Sequence, residues 1–160
     1  MQDQDIQTIA AYAASLAPST TATRGTIRAQ DMFEDYRAFI LARARGIEPM
    51  TVAVDTANCV AGYRLMDLYG ELPLTIIPLY LELDGRFPNH EPNPLKHETL
   101  KDLREQVLRN RASLGIAFDG DGDRIGFLDE AGEPVSGDFI TLLVALRLIE
   151  ESPENRRFVT

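Results

Sequence analysis

Cysteine is nearly missing from this chain of 160 residues, where Cys59 stands alone. One thiol closes no internal disulfide, so the fold must rest on its core, and a reducing, cytoplasmic setting is expected. A lone buried thiol ordinarily packs as a small apolar group. Long apolar runs are missing too. No stretch reaches the roughly 20 residues of a membrane span. The N-terminus lacks the basic flank and apolar run of a signal peptide. Positive charge is scarce: 16 Lys and Arg face 25 Asp and Glu, a formal net charge of -9. That balance argues against nucleic acid or an anionic membrane surface as the main partner. The chain holds two histidines, His90 and His97. His90 lies in a proline-rich turn and is expected to hydrogen-bond the backbone. Neither internal repeats nor low-complexity tracts are present.

What remains is an ordinary globular composition, 44% hydrophobic and 26% charged. The length suits one domain with pieces of its neighbours. Ile6, Ile9, Tyr12, Ala13 and Leu16 fall at helical spacing over residues 4–16, and residues 17–25 read as a linker. Asp31 is a plausible N-cap for a second helix to about Arg45, stopped by Gly46. Residues 51–54 (TVAV) read as a buried strand, 55–58 as a polar turn and 60–69 as a helix. Residues 75–83 (TIIPLYLEL) read as a second strand, and Pro78 confines it to a sheet edge or a bulge. Residues 84–94 contain Pro88, Pro92 and Pro94 and form a long irregular stretch. A helix over 96–111 presents Leu100, Leu103 and Val107 inward. Strands at 115–118 and 125–128 and a turn at 129–133 follow. The helix over 139–149 (FITLLVALRLI) is apolar almost all round and too short for a membrane, so burial is expected. Residues 152–155 form a loop, and 157–160 begin a strand. Strands alternating with helices predict an α/β fold: a mixed sheet of about four strands with helices on both faces.

One stretch carries chemistry. Between the apolar runs GIAF and IGFL lie Asp119, Asp121 and Asp123, separated by Gly120 and Gly122 and followed by Arg124. Residues two apart in an extended strand are separated by roughly 6.5 Å, too far to share a small ion. The glycines let the loop curl until the carboxylates converge. Oxygen ligands on a tight loop suit a hard cation such as Mg²⁺, and a strand's carboxyl end is where α/β folds bind ligands. The plain alternative is an acidic turn between two strands. A calcium loop of the EF-hand kind matches at positions one, three and five and at Glu130. It puts Arg124 where the sharp turn needs glycine, between strands rather than helices. Phe118 to Gly122 also looks like the strand-end motif of haloacid-dehalogenase-like phosphatases. That family needs a downstream lysine, and none follows Arg124.

The segment 119–124, DGDGDR, most closely resembles the metal-binding loop of the α-D-phosphohexomutases, the phosphomannomutase/phosphoglucomutase family. Two further stretches agree. Residues 87–94 (FPNHEPNP), before a helix opening HETL, look like a run typical of the family. Residues 54–58 (VDTAN) with Val60, Ala61 and Gly62 resemble its strand–turn–helix opening, with Cys59 where the family usually has glycine. The resemblance implies the second of four domains, over residues 31–134. Residues 1–30 would be the tail of a preceding domain and a linker, and 135–160 the start of the next. It implies transfer of phosphate between the 1- and 6-positions of a hexose, through a phosphoserine and a bisphosphorylated intermediate. Asp119, Asp121 and Asp123 would hold Mg²⁺, and Arg124 would lie beside the phosphate. The family's serine sits in a Ser-His-Asn-Pro setting. None of Ser15, Ser19, Ser113, Ser136 and Ser152 has it, so this chain is expected to lack the nucleophile and to be inactive alone. The phosphosugar would be a partner of the full-length enzyme. A competing reading is a metal- or partner-binding module that kept the fold and lost the chemistry. The 139–149 helix is expected to dock on the sheet or to mediate self-association.

Overall fold

The structure is a computed structural model, and it describes residues 3–16 and 25–152. All but the last residue of the expected linker at 17–25, most of the loop at 152–155 and the strand at 157–160 lie outside those residues. The chain divides into two compact units, one up to Phe33 and one from Glu34 onward. The described part of the first unit holds helix α1, Asp3–Ser15, whose Ile6, Ile9 and Tyr12 are exposed. Before α2 (Phe33–Leu41), the Asp31 Oδ1 accepts from the Phe33 N–H at 2.9 Å, in the manner of an N-terminal cap. α2 ends at Leu41 rather than near Arg45, and Gly46 is left-handed at φ 73°.

The second unit is organised on a mixed sheet of five strands: β1 (Met50–Asp55), β2 (Leu74–Leu79), β3 (Leu114–Phe118), β4 (Ile125–Leu128) and β5 (Pro134–Val135). The spatial order is β2-β1-β3-β4-β5. β1 runs parallel to β2 and β3, and β4 is antiparallel to β3 and β5. The strand beyond the expected four is the two-residue β5. Pro78 lies opposite Val54 on the edge strand β2, where a missing N–H is tolerated. β2 stops earlier than its apolar run suggests, because Tyr80 turns left-handed at φ 56°.

Alternation along β1 feeds two cores. Val52 and Val54 pack with Leu65 on one face. Ala53, with Ala117 and Leu128, packs on the other against Leu100, Leu103 and Val107. Leu65 opens α3 (Leu65–Tyr69), while Leu103 and Val107 belong to α4 (Lys101–Asn110), so helices cover both faces. The stripe Leu100, Leu103 and Val107 is buried as its spacing requires.

The continuous helix expected over 60–69 is instead a short 3-10 turn, Val60–Gly62, then α3, because Arg64 takes the left-handed conformation at φ 59°. The 96–111 helix likewise begins as a 3-10 turn at His97–Leu100 before α4. The expectation of burial fails for α5 (Gly137–Glu151): none of its residues is buried, and Phe139, Leu142, Leu143 and Leu146 are exposed. Hydrophobicity marks a surface that needs cover, but cover requires an opposing surface. The described residues provide little of one for α5 beyond the apolar groove at Ile140. No described helix is long and apolar enough to cross a membrane.

Candidate metal and phosphate site

β1 and β3 are parallel, so their carboxyl ends meet at one edge of the sheet, with Asp55 paired to Ala117. The turn 55–58 leaves β1 there and the acidic loop leaves β3. The loop curls back at once: β4 is paired to β3 from Phe118 and Ile125 onward. Gly122 is left-handed at φ 75°, a conformation that costs glycine little. Asp119, Asp121 and Asp123 are brought together, each offering a carboxylate oxygen within 4.8 Å of the others. This is the convergence that Gly120 and Gly122 were expected to permit. Magnesium–oxygen bonds of roughly 2.0–2.1 Å put opposite ligands about 4.1 Å apart, so slight tightening would fit a small cation. A donor set made only of carboxylate oxygens suits a hard ion.

The three acids are not equivalent. Asp119 is buried, and Asp121 and Asp123 are exposed. The Asp119 Oδ1 accepts the Arg124 backbone N–H at 3.0 Å, and its Oδ2 accepts the Arg124 Nε–H at 2.8 Å. Burial pushes the Asp119 carboxyl up, but the hydrogen bonds from the Arg124 backbone and guanidinium prevail and hold it at about 2. Asp123 is pushed up, first by its hydrogen bond with Asp119 and then by the negative charges of Asp121 and Asp119. Without a cation the loop is therefore anchored by one ionised acid and strained by like charges at its exposed end. Arg124 is drawn to Asp119, and half of its side chain remains open to solvent.

A partly buried polar network, not expected from the sequence, lies beside this loop. Ala57 and Asn58 are successively left-handed, at φ 47° and 60°. Cys59, which stands where glycine was expected, has φ −103° and is unstrained. Its thiol donates to the Ala57 carbonyl at 3.2 Å, and burial, then Asp119 and Asp55, push its pKa up, so it is a poor nucleophile. The Asp55 Oδ1 accepts the Ala57 N–H at 2.8 Å, while its Oδ2 lies 2.9 Å from the His90 Nε2. The His90 Nδ1 lies 2.9 Å from the Glu91 carbonyl. The backbone bond expected of His90 is present, and the Asp55 bond is added to it. Both nitrogens face acceptors, which favours the imidazolium; the Asp55 bond raises the His90 pKa. Asn89 donates to the Asn58 side chain at 2.7 Å. The signal available in sequence was two polar turns, VDTAN and FPNHEPNP, the first of them leaving a buried strand.

An α/β domain with an acidic loop at the carboxyl edge of its sheet is the class these features define. Residues 32–132 match the family described as phosphoglucomutase/phosphomannomutase, alpha/beta/alpha domain II. The chain belongs to this phosphohexomutase family. It is 40% identical over 129 residues to a phosphomannomutase/phosphoglucomutase of Pseudomonas aeruginosa, covering 81% of this chain and 28% of that protein. It is 36% identical over 121 residues to a phosphomannomutase of Methanocaldococcus jannaschii, covering 76% of this chain and 27% of that protein. A solved phosphoglucomutase/phosphomannomutase family protein from Burkholderia thailandensis superposes with a TM-score of 0.82 at 28% identity, covering 94% of this chain and 32% of that one. The chain thus spans less than a third of these proteins.

Proposed function

We propose that this chain is the metal-binding segment of a phosphohexomutase that interconverts hexose 1-phosphate and hexose 6-phosphate. The observation that carries the reading is the convergence of Asp119, Asp121 and Asp123 within 4.8 Å in a chain of this family. In this reading the three carboxylates hold Mg²⁺, which supplies Lewis-acid stabilisation of developing phosphate charge. Arg124 orients the phosphate. Its Nε–H is engaged by Asp119, and a guanidinium carries further N–H groups suited to phosphate oxygens. Asp119 holds Arg124 in place while serving as the buried ligand. The phosphoserine that exchanges phosphate with the sugar, through a bisphosphorylated intermediate, would come from outside this chain, which is inactive alone. Residues 1–30 and 135–160 belong to flanking domains, and the exposed apolar α5 fits an element whose cover lies elsewhere, or a surface of self-association. The single cysteine supports a reducing, cytoplasmic setting.

The test is calorimetric titration of Mg²⁺ and Ca²⁺ into this chain and its Asp121→Ala variant. Saturable Mg²⁺ binding lost in the variant supports the site. A Ca²⁺ preference at micromolar affinity would favour a calcium loop instead. Hexose-phosphate interconversion by a mutase of the relatives' length carrying this segment, lost on Asp121→Ala, tests the activity.

A further inference from the structure

The proline-rich stretch 84–96 is buttressed at both ends of the candidate site. On one side, His90 and Asn89 bond to Asp55 and Asn58 of the turn after β1. Asp55 is 1% and His90 16% exposed at the side chain, so this contact is shielded from solvent. Tyr80 meets the His90 ring edge-on at 5.5 Å between centroids, and its hydroxyl donates to Asp102 at 2.6 Å. On the other side, the stretch packs against the loop's exit strand at Gly126 and lies near the loop itself at Gly120. A Cβ placed on Gly120 would lie 3.8 Å from the Pro92 Cγ. One placed on Gly126 would lie 2.9 Å from the Pro94 carbonyl oxygen, closer than real Cβ atoms come. Gly120 and Gly126 bracket Asp121, Asp123 and Arg124. Glu91, between His90 and Pro92, pairs with Lys96 at 2.6 Å and feels the Arg124 charge.

From this arrangement we infer that His90 is a positioning residue for the acidic loop. Its contacts with Asp55 and with the Glu91 carbonyl seat the proline-rich stretch; Pro94, close against Gly126, and Pro92, near Gly120, then limit where Asp121, Asp123 and Arg124 stand. Two acceptors on opposite ring nitrogens hold the imidazole in one orientation, and Pro92 and Pro94, fixed in φ, pass that orientation on with little slack. The hydrogen bonds of His90 go to Asp55 and Glu91 rather than to Asp119, Asp121 or Asp123, so its effect is on where those three stand. The cation-binding consequence rests on the function proposed above; the positional consequence does not.

The test is nuclear magnetic resonance on the whole chain without metal, comparing parent, His90→Phe and His90→Gln. The expected result for His90→Phe is displacement of the Gly120, Gly122 and Gly126 amides and the Arg124 Nε–H, while amides of α4 and the centre of β3 keep their positions. His90→Gln retains a donor toward Asp55, and the loop signals return toward those of the parent. Unmoved loop signals in His90→Phe would overturn the inference, as would equal displacement across the core with no recovery in His90→Gln. Mg²⁺ is then added. A parent whose loop amides titrate, with about tenfold weaker binding in His90→Phe, supports the extension to metal affinity. Equal titration in both overturns that extension alone. A parent that ignores millimolar Mg²⁺ counts against the metal reading, and the positioning role of His90 is still decided by the metal-free spectra.

Discussion

Arg124 grips Asp119 from both its backbone and its side chain, and Asp119 returns the contact through its own N–H to the Arg124 carbonyl at 3.3 Å. One residue pair thus closes the acidic loop and keeps its buried carboxylate ionised. The guanidinium reading for Arg124 gains a structural duty: the residue suited to phosphate is also the neutralising partner of the innermost acid. Replacing Arg124 with Ala removes the Nε bond and leaves the backbone bond. We expect a loss of about 1 kcal/mol in urea denaturation, modest because half of the side chain is solvated. The Asp119 carboxyl should rise from about 2, readable by carbon-detected titration.

The exposed acids should behave in the opposite sense. Asp121 and Asp123 add like charge that no protein cation fully offsets, and Asp123 is pushed up by its neighbours. Asp121→Asn is expected to leave stability unchanged or raise it by a few tenths of a kcal/mol in metal-free buffer. The same change should abolish saturable Mg²⁺ binding. Thermal melts with and without 5–10 mM Mg²⁺, about the range for a weak site, check both arms. A parent and variant that respond alike to Mg²⁺ would contradict the ligand role.

The Asp55–His90 pair predicts a pH dependence. The His90 pKa is raised, by the Asp55 hydrogen bond foremost and then by the Glu91 carbonyl and the charges of Asp55 and Asp102, against the opposing effect of burial. A raised histidine pKa contributes stability that is fully present below the unfolded value of 6.5 and is lost as pH rises through the folded value. Stability relative to His90→Gln should therefore be largest at mildly acidic pH and shrink above 6.5. Denaturant midpoints of the two proteins across pH 5.5 to 9, about one unit below to two or three above the usual histidine value, measure it. A difference that does not change with pH would show that the His90 pKa is the same in the folded and unfolded chain, against the shift argued from the Asp55 contact.

Leu103 is fully buried between α4 and the sheet. Leu103→Ala should cost about 2–5 kcal/mol, the range for a cavity in a packed core. Gly126→Ala should cost about 1–3 kcal/mol, because its Cβ meets the Pro94 backbone rather than a movable side chain. Chemical denaturation resolves both.

Helix α5 predicts association. Leu142 and Leu146, one turn apart, are exposed, as is Phe139. Sedimentation of the chain should show concentration-dependent self-association that Leu142→Glu with Leu146→Glu removes. A monomer at all concentrations would leave cover by a flanking domain as the reading of α5.

What the sequence determined is local. DGDGDR was legible because its chemistry lies within six consecutive residues: strand before, strand after, and glycines where the chain must curl. The inward stripe of α4 and the edge placement of β2 were legible for the same reason, since a 3.6-residue period and a lone Pro78 act on their own element. The rest required the tertiary structure. Asp55 and His90 are 35 residues apart, and no pattern in either segment specifies the bond that the folded chain makes between them. Breaks at Arg64 and Tyr80 follow from left-handed residues that ordinary propensities disfavour and tertiary contacts impose. The exposure of α5 shows the same division in reverse. Sequence sets how strongly a helix seeks burial, and only the surrounding surfaces decide whether it finds it.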